Sequence, residues 1–465
     1  MSPAHPYMPN STEELQRELL EAVGATDVES LFSQIPAAHR LKQPLELPPA
    51  IASETALRRH LVDMLARSEN CERNLSFLGG GIWQHHVPAV CDEIVRRSEF
   101  LTPVWGTPSS DHGRNQAWFE FASQLGELVG MDFVGLPVYS WGCAAGHAVR
   151  MAARMTGRSH VLVPDTISPE RLSVIRTYCG AAEPSRRIEI ELVGHDPATG
   201  GIDIRDLEAR LSERTAAVLF DNPSFLGLIE PNAAEIAALA RSRGAETVVG
   251  VDPLSLGVLA PPADYGADIV VGSTQPLGVH MSCGGGAGGF IASRDDPRYA
   301  REYPTLLLSI AETVAGEHGF GIALFEQTSY GSREDGNDWT GNSVYLWAVA
   351  NAAYMSLMGP EGFVEVGRLI LARSHYAARR LGEIDGVRIV FPEGFFKEFV
   401  VDFAETGRTV SEINRALRER RGIFGGQDLS REFPDLGRAA LYCVTEVHTK
   451  ADIDRLVSAV AEVVA

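Results

Sequence analysis

The sequence predicts an α/β fold in which a large domain with a mostly parallel sheet is followed by a small C-terminal α+β domain. Between residues 161 and 293, six short apolar runs alternate with amphipathic stretches of helix length, and such alternation is typical of parallel strands joined by right-handed crossovers. From about residue 343 the pattern becomes helical and then mixed. With 465 residues, 45% of them hydrophobic, the chain is long enough to bury a core in each domain.

The N-terminal region predicts a helical arm that precedes these domains. A helix-start signal at Thr12 is followed by apolar residues at helical spacing from Leu15 to Val23, and a second helical stretch at 54–67 follows a proline-rich segment. The predicted organisation is therefore a helical arm, a large domain and a small domain, at residues 1–74, 75–335 and 336–465.

The individual elements follow from hydrophobic periodicity and from turn residues at their ends. In the large domain the predicted strands are 161–165, 188–193, 216–223, 247–252, 268–272 and 288–293, and the predicted helices are 112–129, 142–156, 167–178, 204–213 and 232–243. In the small domain the predicted helices are 343–359, 361–383, 410–420 and 450–464, and the predicted strands are 387–391, 398–403 and 438–446.

The stretch 247–290 is the best candidate for functional chemistry. Asp252 ends a predicted buried strand, and ligands of open α/β sheets bind at the carboxyl ends of the strands, so we expect Asp252 and the segment 273–289 to face one crevice. Asn222 ends another strand and is a candidate for the same crevice. Both residues also have ordinary structural roles, since strand-end aspartates cap turns and an asparagine before a proline starts one.

This layout, a strand-end aspartate and then a second strand-end loop, resembles the large domain of pyridoxal-phosphate (PLP) enzymes of the aspartate aminotransferase fold, fold type I. The resemblance implies that Asp252 stands where the pyridine nitrogen is paired, and that a lysine on the second loop carries the cofactor as a Schiff base. The chain has three lysines, Lys42, Lys397 and Lys450, and none lies on that loop. The resemblance places Gln275 at the Schiff-base position, where no amine is available.

A narrower resemblance is carried by blocks that match in order along most of the chain. They are HPYMPN (5–10), FLGGG (77–81), HVPAVCDEI (86–94), SEF (98–100), VDPLSLG (251–257), ADYGADIVVG (263–272), QPLG (275–278), MGPEG (358–362), FFKEFVV (395–401), GIFGG (422–426) and CVTE (443–446). They resemble subunit 1 of the two-chain glycine decarboxylase, the P protein of the glycine cleavage system. The resemblance implies an α₂β₂ assembly with a homologous lysine-bearing chain, PLP on that partner with none covalently bound here, and transfer of an aminomethyl group to a lipoylated carrier.

Several segments differ from the family pattern at places that, in the family, approach the partner's substrate pocket. These are LTPVWGTPSSDHG (101–113), YSWG (139–142) and NDWTGNSV (337–344). They supply the pocket or interface candidates Trp105, His112, Tyr139 and Asn342. His85 is a further candidate beside the FLGGG block, and packing explains it equally well.

Gly284 and Gly285 open a glycine run that contains one G-x-G-x-x-G match. The run is followed by a predicted strand where a dinucleotide site requires a helix, so we reject a nicotinamide site. Such a run instead allows the backbone to approach a phosphate or a neighbouring subunit.

Charge and composition exclude several classes of function. A formal net charge of −20 argues against nucleic acid or an anionic membrane as partner, and no stretch has the apolar length of a bilayer span. The six cysteines are scattered, no metal-binding motif occurs, and the N-terminus has no signal-peptide core, so we expect a cytoplasmic protein without a metal site.

Three hypotheses follow. The first is a glycine decarboxylase subunit that supports a PLP-bearing partner. The second is a repurposed paralogue whose complex acts on glycine or another small amino acid in a specialised biosynthetic pathway. The third is a non-catalytic homodimeric binding or scaffold protein.

Overall fold

The computed structural model describes residues 7–8, 11–43, 45–100, 108–180, 187–284, 287–323, 332, 336–340 and 344–465. The chain divides into two compact units, Met1–Glu69 and Asn70–Ala465. Three candidates from the sequence, Trp105, Gly285 and Asn342, lie outside the described residues. His112 lies in a described helix, but its side chain is not among the described groups.

The first unit contains the two helices predicted for the arm, α1 (Glu13–Ala22) and α2 (Glu54–Leu65). Each begins with a side-chain cap: the Thr12 hydroxyl accepts a hydrogen bond from Leu15 N, and the Ser53 hydroxyl accepts one from Ala56 N. No residue of either helix is buried, although both helices are amphipathic. These helices therefore contribute apolar side chains without forming a core of their own.

The second unit contains the α-helices and strands that follow. Its helices are α3 (Ala89–Val95), α4 (Pro108–Val129), α5 (Trp141–Thr156), α6 (Pro169–Cys179), α7 (Ile204–Arg210), α8 (Ala233–Ser242), α9 (Pro297–Ala300), α10 (Tyr345–Leu381), α11 (Val410–Arg421) and α12 (Lys450–Val464). Its strands are β1 (Leu75–Ser76), β2 (Phe133–Val134), β3 (His160–Pro164), β4 (Glu189–Val193), β5 (Thr215–Asp221), β6 (Glu246–Val251), β7 (Ile269–Ser273), β8 (Gly289–Ser293), β9 (Leu307–Glu312), β10 (His318–Ala323), β11 (Arg388–Ile389), β12 (Glu398–Asp402), β13 (Ile423–Phe424), β14 (Gln427–Asp428) and β15 (Ala439–Cys443).

A seven-stranded sheet has the order β2-β8-β7-β6-β5-β3-β4. The pairings from β4 through β7 are parallel, and β8 and β2 add antiparallel partners at one side, so the predicted mostly parallel sheet is confirmed. Every residue of β5, β6 and β7 is buried, as expected for strands covered by helices on both faces. The carboxyl ends of these three strands position the candidate site.

The C-terminal part forms a four-stranded antiparallel sheet of order β11-β12-β15-β14, flanked by α11 and α12. The chain enters this region early, because β1 pairs with β13 and Leu78 bridges to Tyr442. The long helix α10 bends at Gly359, whose φ of +56° is unfavourable for other residues, and Pro360 follows. The predicted break between helices at 343–359 and 361–383 is therefore confirmed. The division at 335/336 stays a proposal.

The described residues contain neither a membrane-spanning helix nor a metal-binding cluster. None of their helices combines the length and the hydropathy that a bilayer crossing requires. Nor do their histidine, cysteine, aspartate and glutamate side chains form a group of three or more that is arranged to hold a metal ion.

An ion-pair cluster on α5 generates the first prediction. Asp338 accepts hydrogen bonds from Arg150 at 2.5 and 2.9 Å and from Arg154 at 2.9 Å. Burial would raise the pKa of the Asp338 carboxyl, but His147 and the two guanidinium groups hold the pKa below its ordinary value. We expect Asp338→Asn to lower the free energy of unfolding by about 2 kcal/mol at pH 7, because two partly buried cations lose their shared anion.

The matched control is Glu189→Gln, which removes a solvent-exposed partner of Arg214. We expect that variant to change the free energy of unfolding by less than about 0.5 kcal/mol. Urea denaturation of both variants beside the wild type checks the expectation. Equal effects of the two substitutions would contradict it.

Candidate functional site

The candidate site lies at the carboxyl ends of β5, β6 and β7. Asp252 directly follows β6 and is 3% exposed. Its Oδ1 atom accepts a hydrogen bond from Leu254 N at 3.2 Å, so the carboxylate caps the turn that follows the strand. The structural role considered for this residue is therefore present, and it uses only one of the two carboxylate oxygens.

The other oxygen faces a lysine from the C-terminal sheet. Asp252 Oδ2 lies 2.7 Å from the Nζ atom of Lys397, a residue that directly precedes β12 and is 2% exposed. Oδ2 makes no aligned hydrogen bond within the described part of the chain, so the contact is an ion pair set by distance. The same ammonium lies 3.4 Å from the centroid of the Trp83 ring, where a cation–π interaction adds to the pairing.

His85 continues the charged chain away from Lys397. Lys397 Nζ lies 3.1 Å from His85 Nε2, and His85 Nδ1 lies 2.7 Å from Glu446 Oε2. A charged ammonium only donates, so His85 Nε2 accepts from Lys397 and His85 Nδ1–H donates to Glu446. Asp252, Lys397, His85 and Glu446 thus form one continuous polar chain.

The pKa of Glu446 reflects this pairing. Burial alone would raise the pKa, but the pairing with His85 and the hydrogen bond from the backbone N–H of His86 at 2.7 Å lower it to about 2. The carboxylate is therefore ionised at neutral pH.

A second cation repeats the arrangement on the neighbouring strand. Arg171 Nη1 lies 2.6 Å from Asp221 Oδ2 at the end of β5, and its guanidinium stacks on the Trp141 ring at 3.5 Å from the centroid. Burial raises the pKa of Asp221, and Arg171 opposes that shift. Two adjacent strand ends therefore carry buried carboxylates, each paired with a cation that lies on a tryptophan.

Little space remains between these groups. The cavity at this edge has a volume of about 10 Å³, which is room for one water molecule. It is lined by Trp83, Trp141, Arg171, Pro223, Ser224, Gly227, Asp252, Phe396, Lys397 and Glu398. A pyridine ring does not fit this cavity, and the oxygen of Asp252 that would meet a ring nitrogen already meets an ammonium. The residues present here do not fit PLP.

The side-chain amide of Gln275 connects the backbone at Trp83 with the backbone at Val279. The side chain is 1% exposed; its Nε2 donates to Trp83 O at 3.0 Å and to Val279 O at 3.1 Å, and its Oε1 accepts from Trp83 N at 3.4 Å. Gln275 therefore fixes the segment that carries the indole beneath Lys397. An amide makes these three contacts because it both donates and accepts.

The other candidates are placed as follows. Asn222 is buried, and its amide donates to the Tyr265 hydroxyl at 3.2 Å and accepts from Glu230 N at 3.1 Å. Tyr139 is 48% exposed, and Gly284 is exposed with open space around its Cβ position. Among the candidates that are described, the structure brings His85 to Asp252, through Lys397, while Asn222 makes contacts of its own.

Sequence reasoning gave no site role to Lys397, Arg171, Trp83, Trp141 or Glu446. Two of them lie inside the matching blocks FFKEFVV and CVTE. The available signal was chemical: one of only three lysines stands beside Glu398 in a mostly apolar run at the start of a predicted strand. A charge in that position needs a buried partner.

The lowered pKa of Glu446 generates a pH prediction. A carboxyl whose pKa is depressed on folding contributes stability above its ordinary pKa, and that contribution is lost as the pH falls through the folded value. We therefore expect Glu446→Gln to cost about 3 kcal/mol of unfolding free energy at pH 7, with the difference from wild type shrinking between pH 4.5 and about 2. Urea titrations across this pH range measure it, and a difference independent of pH would contradict it.

Comparison with known proteins shows which family the chain belongs to. The glycine cleavage system P-protein family matches residues 5–460. A relative in Staphylothermus marinus, named probable glycine dehydrogenase (decarboxylating) subunit 1, is 34% identical over 469 residues, which cover 99% of this chain and 98% of the relative.

Solved structures agree with this assignment. A crystal structure of glycine decarboxylase (P-protein) of the glycine cleavage system, in inhibitor-bound form, superposes with a TM-score of 0.87 at 33% identity and covers 99% of this chain and 100% of that one. A sphingosine-1-phosphate lyase from Burkholderia pseudomallei, 15% identical with a TM-score of 0.63 over 92% of this chain and 94% of its own, shares the fold. The predicted fold type I architecture is confirmed, and the chain belongs to the glycine cleavage system P-protein family.

Proposed function

We propose that this chain is subunit 1 of a two-chain glycine dehydrogenase (decarboxylating), without a Schiff-base lysine of its own, and that a homologous chain bearing that lysine holds the PLP. The observation that carries the proposal is the filled site: Lys397 lies 2.7 Å from Asp252, and the side chain of Gln275, which the family resemblance puts at the Schiff-base position, is bound to backbone groups. Relatives named subunit 1 match over the full length, and that name requires a second subunit. PLP use by the complex follows from the family and its fold.

The two other hypotheses are not needed to explain these findings. A repurposed paralogue was suggested by segments that differ from the family, and all of 101–113 together with residues 341–343 lies outside the residues whose surroundings are described. A homodimeric scaffold was suggested by the missing lysine, which a two-chain enzyme explains equally well. Full-length similarity to proteins named as glycine dehydrogenase subunits favours the first hypothesis.

The chemistry is divided between the chains. PLP on the partner supplies an electron sink for the carbon that loses CO₂. This chain contributes surface and shape: its segments with Trp105, His112, Tyr139 and Asn342 are our candidates for closing the partner's pocket. The α₂β₂ stoichiometry, and the docking of a lipoylated carrier that accepts the aminomethyl group, are parts of the same proposal.

The N-terminal unit is our candidate for holding the partner. On α1, Leu19 and Val23 are 58% and 65% exposed, and on α2, Leu65 is 67% exposed. An unpartnered apolar helix face in a 69-residue unit marks an interaction surface. Family resemblance implies that such arms embrace the partner subunit.

The central test uses this chain and its lysine-bearing homologue, purified separately and then mixed. We expect glycine-dependent exchange of labelled CO₂ only in the mixture, because only the partner offers an amine to PLP. The imine absorbance should likewise require the partner. The proposal would be overturned if the present chain alone were yellow, trapped by borohydride and active. A mixture of the two chains without exchange activity would overturn it as well.

Assembly through the arm gives a second prediction. We expect Leu19→Asp to weaken binding to the partner at least about tenfold, because burying one leucine contributes about 1.5–3 kcal/mol. Titration calorimetry with the purified partner measures the change. Arg17→Asp, on the same helix and also exposed, is the matched control and should bind nearly as the wild type. Equal weakening by both variants would indicate loss of charge or helix and contradict an apolar contact.

A further inference from the structure

We propose that Lys397 is a built-in counter-ion. Its ammonium takes the place at Asp252 that the family gives to the coenzyme's pyridine nitrogen, and it thereby holds the C-terminal sheet against the carboxyl edge of the seven-stranded sheet. The inference rests on contacts within this chain and does not depend on which amino acid the complex acts on.

The pair joins two separate sheets. Asp252 follows β6 of the seven-stranded sheet, whereas Lys397 precedes β12 of the four-stranded sheet. Residues just before the lysine reinforce the same seam: Phe396 N donates to Gly227 O at 3.1 Å, and Phe395 forms an antiparallel bridge with Leu228, both partners lying in the loop after β5. The charge pair therefore lies at the centre of a set of contacts between the two layers.

The burial of the Lys397 ammonium is unfavourable by itself and needs compensating interactions. Its side chain is 3% exposed, whereas that of Lys450 is 72% exposed on the surface. Taking an ammonium out of water is unfavourable unless an anion and hydrogen-bond acceptors replace the lost hydration. Lys397 has a complete set of replacements in Asp252, His85 and the face of Trp83.

The geometry also excludes a reactive role for this amine. A lysine that attacks a carbonyl must be neutral and must face a space large enough for the substrate. Lys397 instead faces the Asp252 carboxylate at 2.7 Å in a cavity of about 10 Å³. Its position favours an ion-paired group with a structural role.

The two layers are thus joined without any bound cofactor. In a PLP enzyme the cofactor ring occupies the space between the strand-end aspartate and the rest of the site. Contact across that space therefore depends on whether the cofactor is bound. In this chain the cation is covalently part of the polypeptide. The seam therefore stays closed whether or not PLP is present, and the partner chain meets one fixed surface.

Chemical rescue of a truncated lysine tests the proposal on the full chain. Lys397→Ala removes three carbons and the ammonium, which together equal propylammonium. Hydrogen exchange followed by mass spectrometry reports opening of the seam at residues 252–257 and 443–446. We expect exchange there to become at least tenfold faster in K397A, and propylammonium to restore most of the protection.

Two controls separate charge from volume. 1-Propanol has nearly the same size as propylammonium without the charge and should not restore protection, and Lys450→Ala should exchange as the wild type does. Wild-type protection in K397A, or equal rescue by propanol, would overturn the counter-ion role.

A paired variant covers the case in which K397A does not fold by itself. Lys397→Met with Asp252→Asn removes both charges and leaves no buried ion alone. We expect this double variant to fold, and K397A to fold when propylammonium is added. If neither the double variant nor K397A with propylammonium folds, the proposal is overturned. The pairing of Lys397 with Asp252 would then not explain why folding requires the lysine. None of these measurements involves glycine turnover, so their failure and a failure of the proposed function are distinguishable.

Discussion

The packing of the two sheets depends on a cation that pairs with a buried carboxylate at the carboxyl end of a central strand. Asp252 ends the central strand β6 in a place that water does not reach, and it is satisfied by Lys397 from a different sheet. The family resemblance gives this task to a coenzyme nitrogen. Here the polypeptide supplies the charge itself, and the layers of the protein are joined at the point where an active site would otherwise open.

The same solution appears twice, at two adjacent strand ends. Asp221 on the adjacent strand pairs with Arg171, and each cation lies on an indole ring, those of Trp141 and Trp83. Tryptophan suits this task because its face attracts a cation while its bulk removes space for a ligand. Filling the site and balancing its charge are therefore achieved by the same residues.

Much of this architecture can be predicted from short stretches of sequence. The contacts of the site cannot, because they join residues that are far apart in the chain. Strands β5, β6 and β7 are short β-branched runs buried on both faces, so their pattern is visible in the sequence. The hairpin of β9 and β10 is partly exposed and contains glycines, and β2 has only two residues, so neither has a readable period. The contact between Lys397 and His85 spans 312 positions of the chain, and no local pattern carries that information. Asp252 was found because a strand end is a local feature, whereas its partner is a product of the tertiary fold.

An internal counter-ion also changes what stabilises the subunit. A protein that binds a cofactor only when folded gains stability in proportion to the logarithm of cofactor concentration, so its folded population depends on supply. When the cation belongs to the chain, that dependence disappears and the contribution is constant. The cost is the desolvation of a lysine, offset by Asp252, His85 and Trp83 together. The arm helices leave apolar side chains exposed, and in the proposed function these side chains contact the partner subunit.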